Sequence, residues 1–166
     1  MKEQIDEPIK ELINRLPQIG NLEWIGIRQE RKMPLTSLDE VEVSVDFGLS
    51  GDHFKSKFSK KRQVTFIQKE HLEGVASMLG KGAIDPILTR RNLVISGINL
   101  FALRDRKFSV GEVAFEGTGY CHPCSRMEEN LGPGGYNAMR GHGGLTARVI
   151  SDGKITLGDE VRIITA

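Results

Sequence analysis

Two thiols, Cys121 and Cys124, flank the pair His122-Pro123, and the 166 residues contain no other cysteine. The thiolate is the reactive form, able to act as nucleophile, sulfur carrier or soft metal ligand, and backbone amides or nearby cations favour it. Three chemistries suit this spacing: dithiol redox, half of a zinc site, and one reactive cysteine with an incidental neighbour. Zinc needs two further ligands, and His53, His71, His122 and His142 are scattered without finger spacing. Thioredoxin-like redox needs the pair to open a helix in a βαβ setting, whereas here it follows the apolar run 113–120 late in a β-rich chain. A buried, inert thiol is the remaining alternative.

A second group with chemical potential is Arg90-Arg91-Asn92, at the entrance of the apolar run Leu93-Val94-Ile95. Guanidinium forks match phosphate oxygens, and an Asn amide can read a heterocycle edge, so the three could hold a phosphorylated heterocycle. Paired arginines at a strand end are also commonly just solvated. Between Cys121 and Gly144 lie Gly132, Gly134, Gly135, Gly141 and Gly143, with Arg126, Arg140 and His142 among them. Glycine allows close backbone approach to a ligand, which suggests an anion or cofactor cradle; a surface loop with turn glycines is the plainer reading. No Gly-Lys-Ser/Thr follows, so this is not a Walker loop, and it is not a Rossmann fingerprint.

The elements that must position these groups are mostly strands. Short β-branched runs at 24–28, 41–47, 63–67, 92–96, 108–116, 145–150, 155 and 161–164 are separated by Gly, Asn, Asp or Pro clusters. Asp152-Gly153 predicts a tight hairpin turn between Ala147–Ile150 and Lys154-Ile155. Ile5, Ile9, Leu12, Ile13 and Leu16 share one helical face, predicting a leading amphipathic helix over 1–19, with the core over 20–165. A second helix is predicted from about Glu70 to Leu79, stopped by Gly80 and Gly82, and a short one near 125–130 interrupts an otherwise irregular stretch. Many short strands and few helices favour a mainly β, barrel-type architecture over a parallel α/β sheet.

Composition sets the outer bounds. At 18.4 kDa the chain is expected to form a single domain over 1–166, burying about two thirds of its extended surface. Lys plus Arg total 23 against 22 for Asp plus Glu, so no global field points to nucleic acid or to a membrane surface. The charged N-terminal segment lacks a signal-peptide core, and no run nears the ~18 apolar residues of a span. The expectation is a cytoplasmic protein with free thiols.

The order of short motifs resembles the MOSC family, the molybdenum cofactor sulfurase C-terminal domain. Gly48-Leu49-x-Gly51-Asp52, Arg62-Gln63-Val64, Arg90-x-Asn92-Leu93-Val94-x-x-Gly97, Phe108-x-Val110-Gly111, Thr118, Pro123-Cys124, Gly143-Gly144, Ala147-Arg148-Val149 and Gly158-Asp159 carry the resemblance over roughly residues 20–165. It implies a compact MOSC-type β-barrel whose catalytic residue and molybdenum ligand is Cys124. It also implies that Arg90 and Asn92 hold the pterin and its phosphate, with Arg91, Gly143 and Gly144 completing the molybdenum cofactor site. Arg91 stands where relatives often have Pro. Arg126 or Arg140 and the loop amides are expected to favour the Cys124 thiolate, since a free thiol titrates near about 8.5.

The resemblance leaves two functions open. One is the catalytic component of an N-hydroxyl reductase, taking a small N-hydroxylated substrate and electrons from a separate electron-transfer protein. The other is a sulfur carrier with a persulfide on Cys124, loaded by a pyridoxal-phosphate cysteine desulfurase and delivering to metal-sulfur cofactors. Both need a partner protein, because the sequence contains neither a ferredoxin-type nor a pyridoxal-phosphate sulfurase domain.

Overall fold

The computed structural model describes residues 8–54 and 59–165. Among these residues eleven strands and four α-helices follow in the order α1 (Ile9–Asn14), β1 (Gly20–Ile27), β2 (Thr36–Leu38), β3 (Glu40–Ser44), β4 (Gly48–Leu49), β5 (Val64–Gln68), α2 (Lys69–Met78), β6 (Leu93–Ser96), β7 (Lys107–Val110), β8 (Val113–Tyr120), α3 (Ser125–Leu131), α4 (Gly135–Met139), β9 (Leu145–Val149), β10 (Gly153–Thr156) and β11 (Glu160–Ile163). Strands β11, β7, β8, β9, β5, β6 and β1 follow one another around a barrel, and β1 returns to β11 to close it. That seam is short, with Gly20 opposite Val161 and Asn21 opposite Glu160. Strand β2 extends the sheet from the far end of β1, while β10, β3 and β4 form a small second sheet.

Period-two alternation explains both sides of the barrel wall. Phe66 on β5 points inward and packs edge-on against Phe108 and Phe115, ring centroids 5.3 Å away in each case. Its neighbour Ile67 points outward, into a separate core formed with Leu72 and Val75 of α2, Met127 and Leu131 of α3, and Met139 of α4. Strands β5 and β6 are the parallel pair. A parallel pair needs a crossover, and α2 followed by a short 3-10 helix, Pro86–Thr89, supplies it over the outer face. The helices therefore gather beside the β6 entrance, where the chemistry-bearing residues lie.

Several sequence expectations change. Helix α1 spans only Ile9–Asn14 and leaves Ile9 and Ile13 exposed, while Leu16 packs on the barrel; Ile5 lies outside the described residues. The run 108–116 is two paired strands with Gly111 and Glu112 at the turn, Gly111 holding a φ of 55°. Asp152-Gly153 is no hairpin: both edges of β9 are already taken by β5 and β8, so β10 pairs with β3 instead. The Asp152 carboxylate there accepts from Val45 N at 2.7 Å. The stretch 121–144, expected to be largely irregular, holds α3 where a short helix was predicted and the additional α4.

Candidate functional site

The site grows from the two ends of the crossover. Asp85 caps the 3-10 helix by accepting from Ile87 N at 3.0 Å, Pro86 opens it, and it ends at Arg90 in the left-handed region, φ 61°. A non-glycine residue there is uncommon and conformationally costly, and it turns the chain sharply before β6. Arg90 is thereby set apart from Arg91 and Asn92, which continue into the sheet.

Asn92 is a structural cross-brace. Its Oδ1 accepts from Thr65 N and Thr65 Oγ1, both at 3.0 Å, and its Nδ2 donates to Gly26 O at 3.1 Å. The amide joins β5 to β1 across the β6 entrance. Arg91, 6% exposed, does the same for the cysteine loop: Nε donates to Gly143 O at 2.8 Å, Nη1 to Thr89 O at 3.1 Å and Nη2 to His122 O at 3.2 Å. Burial lowers its pKa, with Cys121 and Cys124 opposing. The polar groups of both side chains are engaged by protein.

The glycines have a steric role. A Cβ on Gly143 would lie 1.9 Å from Cys121 O, and one on Gly144, whose φ is 100°, would lie 1.9 Å from Phe66 O. Such contact lets Cys121 N donate to Gly144 O at 2.8 Å, pinching the base of the excursion that carries α3 and α4. Within it, the Glu128 carboxylate accepts from Gly134 N at 2.7 Å and Tyr136 N at 2.9 Å, and these bonds lower its pKa.

The thiols diverge. Cys121 is buried, with Arg62 Nη2 3.8 Å from its sulfur. Cys124 is exposed at the start of α3, and the guanidinium against it is that of Arg90, Nη1 to Sγ 3.9 Å. Arg140 is exposed beyond α4, whereas Arg126 lines a neighbouring cavity of about 280 Å³ together with Arg28, Lys32, Arg90 and Glu129. The fold thus brings Arg90 to Cys124, places Arg91 and Gly143 behind the loop, and sets Asn92 and Gly144 into the wall. On the other side of the loop a pocket of about 120 Å³ is lined by Gln68, His71, Tyr120, Cys121, His122 and Gly143. There the His71 ring meets His142 edge-on, centroids 4.9 Å apart, and burial followed by the His142 charge lowers the His71 pKa.

The MOSC domain model matches residues 53–162, well over half of the chain. The chain belongs to the MOSC family. Among solved structures, this MOSC barrel is similar to the YuaD protein from Bacillus subtilis, with 19% identity over 90% of this chain and 98% of that one and a TM-score of 0.76. It is similar also to YiiM from Geobacillus stearothermophilus, at 14% identity, 88% and 75% coverage and a TM-score of 0.72. YiiM from Escherichia coli aligns at 17% identity, 88% and 70% coverage and a TM-score of 0.66. At these identities the likeness is one of fold. No curated protein matches by sequence. Among the described residues of the MOSC chain, no helix is long and apolar enough to cross a membrane.

Arg28 and Lys32 had no motif to announce them. They follow β1, far in sequence from Arg90 and Arg126, and the antiparallel pairing of β1 with β6, Ile25 opposite Leu93, brings the end of one strand beside the entrance of the other.

Proposed function

We propose that this MOSC protein holds a molybdenum-pterin cofactor at Cys124 and serves as the catalytic component of an N-hydroxyl reductase. The observation carrying this reading is the exposed Cys124 thiol held against the Arg90 guanidinium, Sγ to Nη1 3.9 Å. The donor set fits the group. Among the described residues no three His, Cys, Asp or Glu side chains converge as a metal site, so a metal here must bring most of its own ligands. A pterin dithiolene does that, and one soft protein thiolate completes the set.

When bound, the cofactor would supply two-electron redox chemistry at molybdenum. Cys124 would be its protein ligand and Arg90 would face the pterin. Arg91 and Gly143 support the reading indirectly, by fixing the backbone on which Cys124 is presented; Asn92 fixes the strand entrance that presents Arg90. Reducing an N-hydroxyl group to the amine takes two electrons and two protons and releases water. An electron-transfer protein is the expected electron source.

A persulfide on Cys124, loaded by a cysteine desulfurase, would use the same exposed sulfur. Metal analysis with intact mass, on protein from a host that makes the cofactor, separates the two. Stoichiometric molybdenum that is lost in Cys124→Ala is the expected result. A sulfur-sized mass increment on Cys124 without metal would replace the cofactor reading by the carrier reading.

A further inference from the structure

Strand β1 breaks its alternation at one place. Leu22 pairs with Ile95 and Trp24 with Val94, so Glu23 is an extra residue bulged out of the ladder. Leu22 and Ile25 consequently both point into the barrel core, and Trp24 is turned outward with Val94 toward the second core beside α2. A Cβ on Gly26 would overlap the indole ring, so glycine there is what lets the ring lie along the strand. The bulge thus places the only tryptophan of the chain, half-buried, on the outer face of the wall.

Beside it lies a cavity of about 420 Å³, a size that suits a small molecule. It shares no lining residue with the two cavities beside the cysteine loop. Trp24 forms one wall, and Leu72, Ile84, Pro86 and Val94 supply apolar surface; the charged lining residues are Glu23, Glu73 and Lys69. Lys69 lies 4.0 Å from Glu73 in an exposed pair, which holds neither partner strongly. Glu23 accepts from Ser96 Oγ at 2.6 Å, and this bond, then one from Asn21, lowers its pKa, so it is charged at neutral pH. Two carboxylates against one ammonium leave the cavity with one negative charge in excess, next to the electron-rich face of an indole.

A ligand that matches these walls is cationic and otherwise apolar. A primary ammonium carries three N–H groups that each need an acceptor, and the aliphatic walls offer none. A methylated ammonium makes no such demand, because its charge is sheathed in methyl groups that pack on indole and aliphatic side chains alike. We infer that the Trp24 cavity binds a small quaternary ammonium compound, its cationic head against the indole face and the Glu23 carboxylate. This site is separate from Cys124 and does not depend on what the thiol holds.

Fluorescence titration tests it directly, because Trp24 is the only tryptophan and any change in indole emission reports on this cavity. Choline and benzyltrimethylammonium should each give a saturable change that weakens as salt is raised. Dimethylbutanol, the uncharged carbon isostere of choline, should bind about tenfold more weakly or not at all. In calorimetry with benzyltrimethylammonium, Trp24→Leu should weaken binding about fivefold or more, and Trp24→Phe, which keeps an aromatic face, should recover part of that loss. Glu23→Gln, which can still accept from Ser96, should weaken it about threefold, whereas Glu116→Gln, whose carboxylate meets Arg148 elsewhere on the barrel, should not. Thermal unfolding of each variant guards against misfolding, and Trp24→Phe with Glu23→Gln keeps the test decisive if Trp24→Leu does not fold. Equal affinity for choline and its uncharged isostere overturns the site, as does the lack of a saturable change with either cation. Unchanged affinity in Trp24→Phe and Glu23→Gln together overturns it too. Cys124→Ala should bind both cations as the parent does; loss of binding there would put the ligand at the thiol and overturn the assignment to Trp24.

Discussion

At Cys121 the chain is still part of the barrel wall: its amide donates to Gly144 O at 2.8 Å, and its thiol is 3% exposed beside Arg62. At Cys124 it has left the wall, and the sulfur faces solvent and Arg90. Between them Arg91 grips the loop through His122 O and Gly143 O. One reactive group is thereby both exposed and fixed. One end of the segment is anchored by buried backbone contacts, and the other is free to present a soft donor.

The largest way to break this division is to spoil the anchor. Gly143→Ala puts a Cβ where Cys121 O already lies, so the loop base must shift; a loss of about 3 kcal/mol in urea unfolding is expected, with cofactor binding lost as well. Next, the two thiols should separate cleanly. Cys121→Ser, which buries a hydroxyl, should lower stability by about 1–2 kcal/mol yet retain molybdenum or sulfur. Cys124→Ser should stay within about 0.5 kcal/mol of the parent and lose both. Equal loss of function in the two variants would instead support dithiol redox.

A smaller effect has the opposite sign. Arg90→Gly relieves a left-handed residue, so unfolding free energy should rise by about 0.5–1 kcal/mol while cofactor binding disappears, a separation readable by calorimetry and metal analysis. The subtlest prediction concerns pH. Burial, then the His142 charge, holds the folded His71 pKa below the ordinary imidazole value of 6.5, so between the two values the folded state binds fewer protons than the unfolded one. The stability is present above 6.5 and is lost as pH falls through the depressed folded value. Unfolding midpoints measured at stepwise lower pH should show this loss in the wild type and less of it in His71→Phe.

How far the sequence anticipates all this depends on whether a feature is local. Strand β8 was legible because Val113, Phe115 and Gly117 alternate inward with intermediate neighbours, and α2 because Leu72, Val75 and Ala76 share a face. The turn at Gly111 escaped because apolar residues continue on both sides of it. The Asp152-Gly153 hairpin failed because pairing is decided by which edges are free, and β9 had none. Helix α4 was missed because it depends on Glu128, from the preceding helix, holding Gly134 N and Tyr136 N. Around the site, Cys124 and Arg90 could be singled out from motif and residue type. The tasks of Arg91 and Asn92 could not, because their partners Gly143, Thr65 and Gly26 lie on distant segments.

The seam between β1 and β11 bears on biosynthesis. It joins the first and last barrel strands through Gly20 and Asn21 paired with Val161 and Glu160, helped by Leu22 N donating to Asp159 O at 2.9 Å. On a ribosome, therefore, β1 must wait with part of one edge unpaired until β11 emerges. Contacts this distant along the chain slow folding, and a waiting edge is a template for wrong partners. Strand β2, emerging just after β1, covers Ile25 to Ile27 on that edge, and once β6 has paired along the other edge only the short closing segment is left exposed to mispairing.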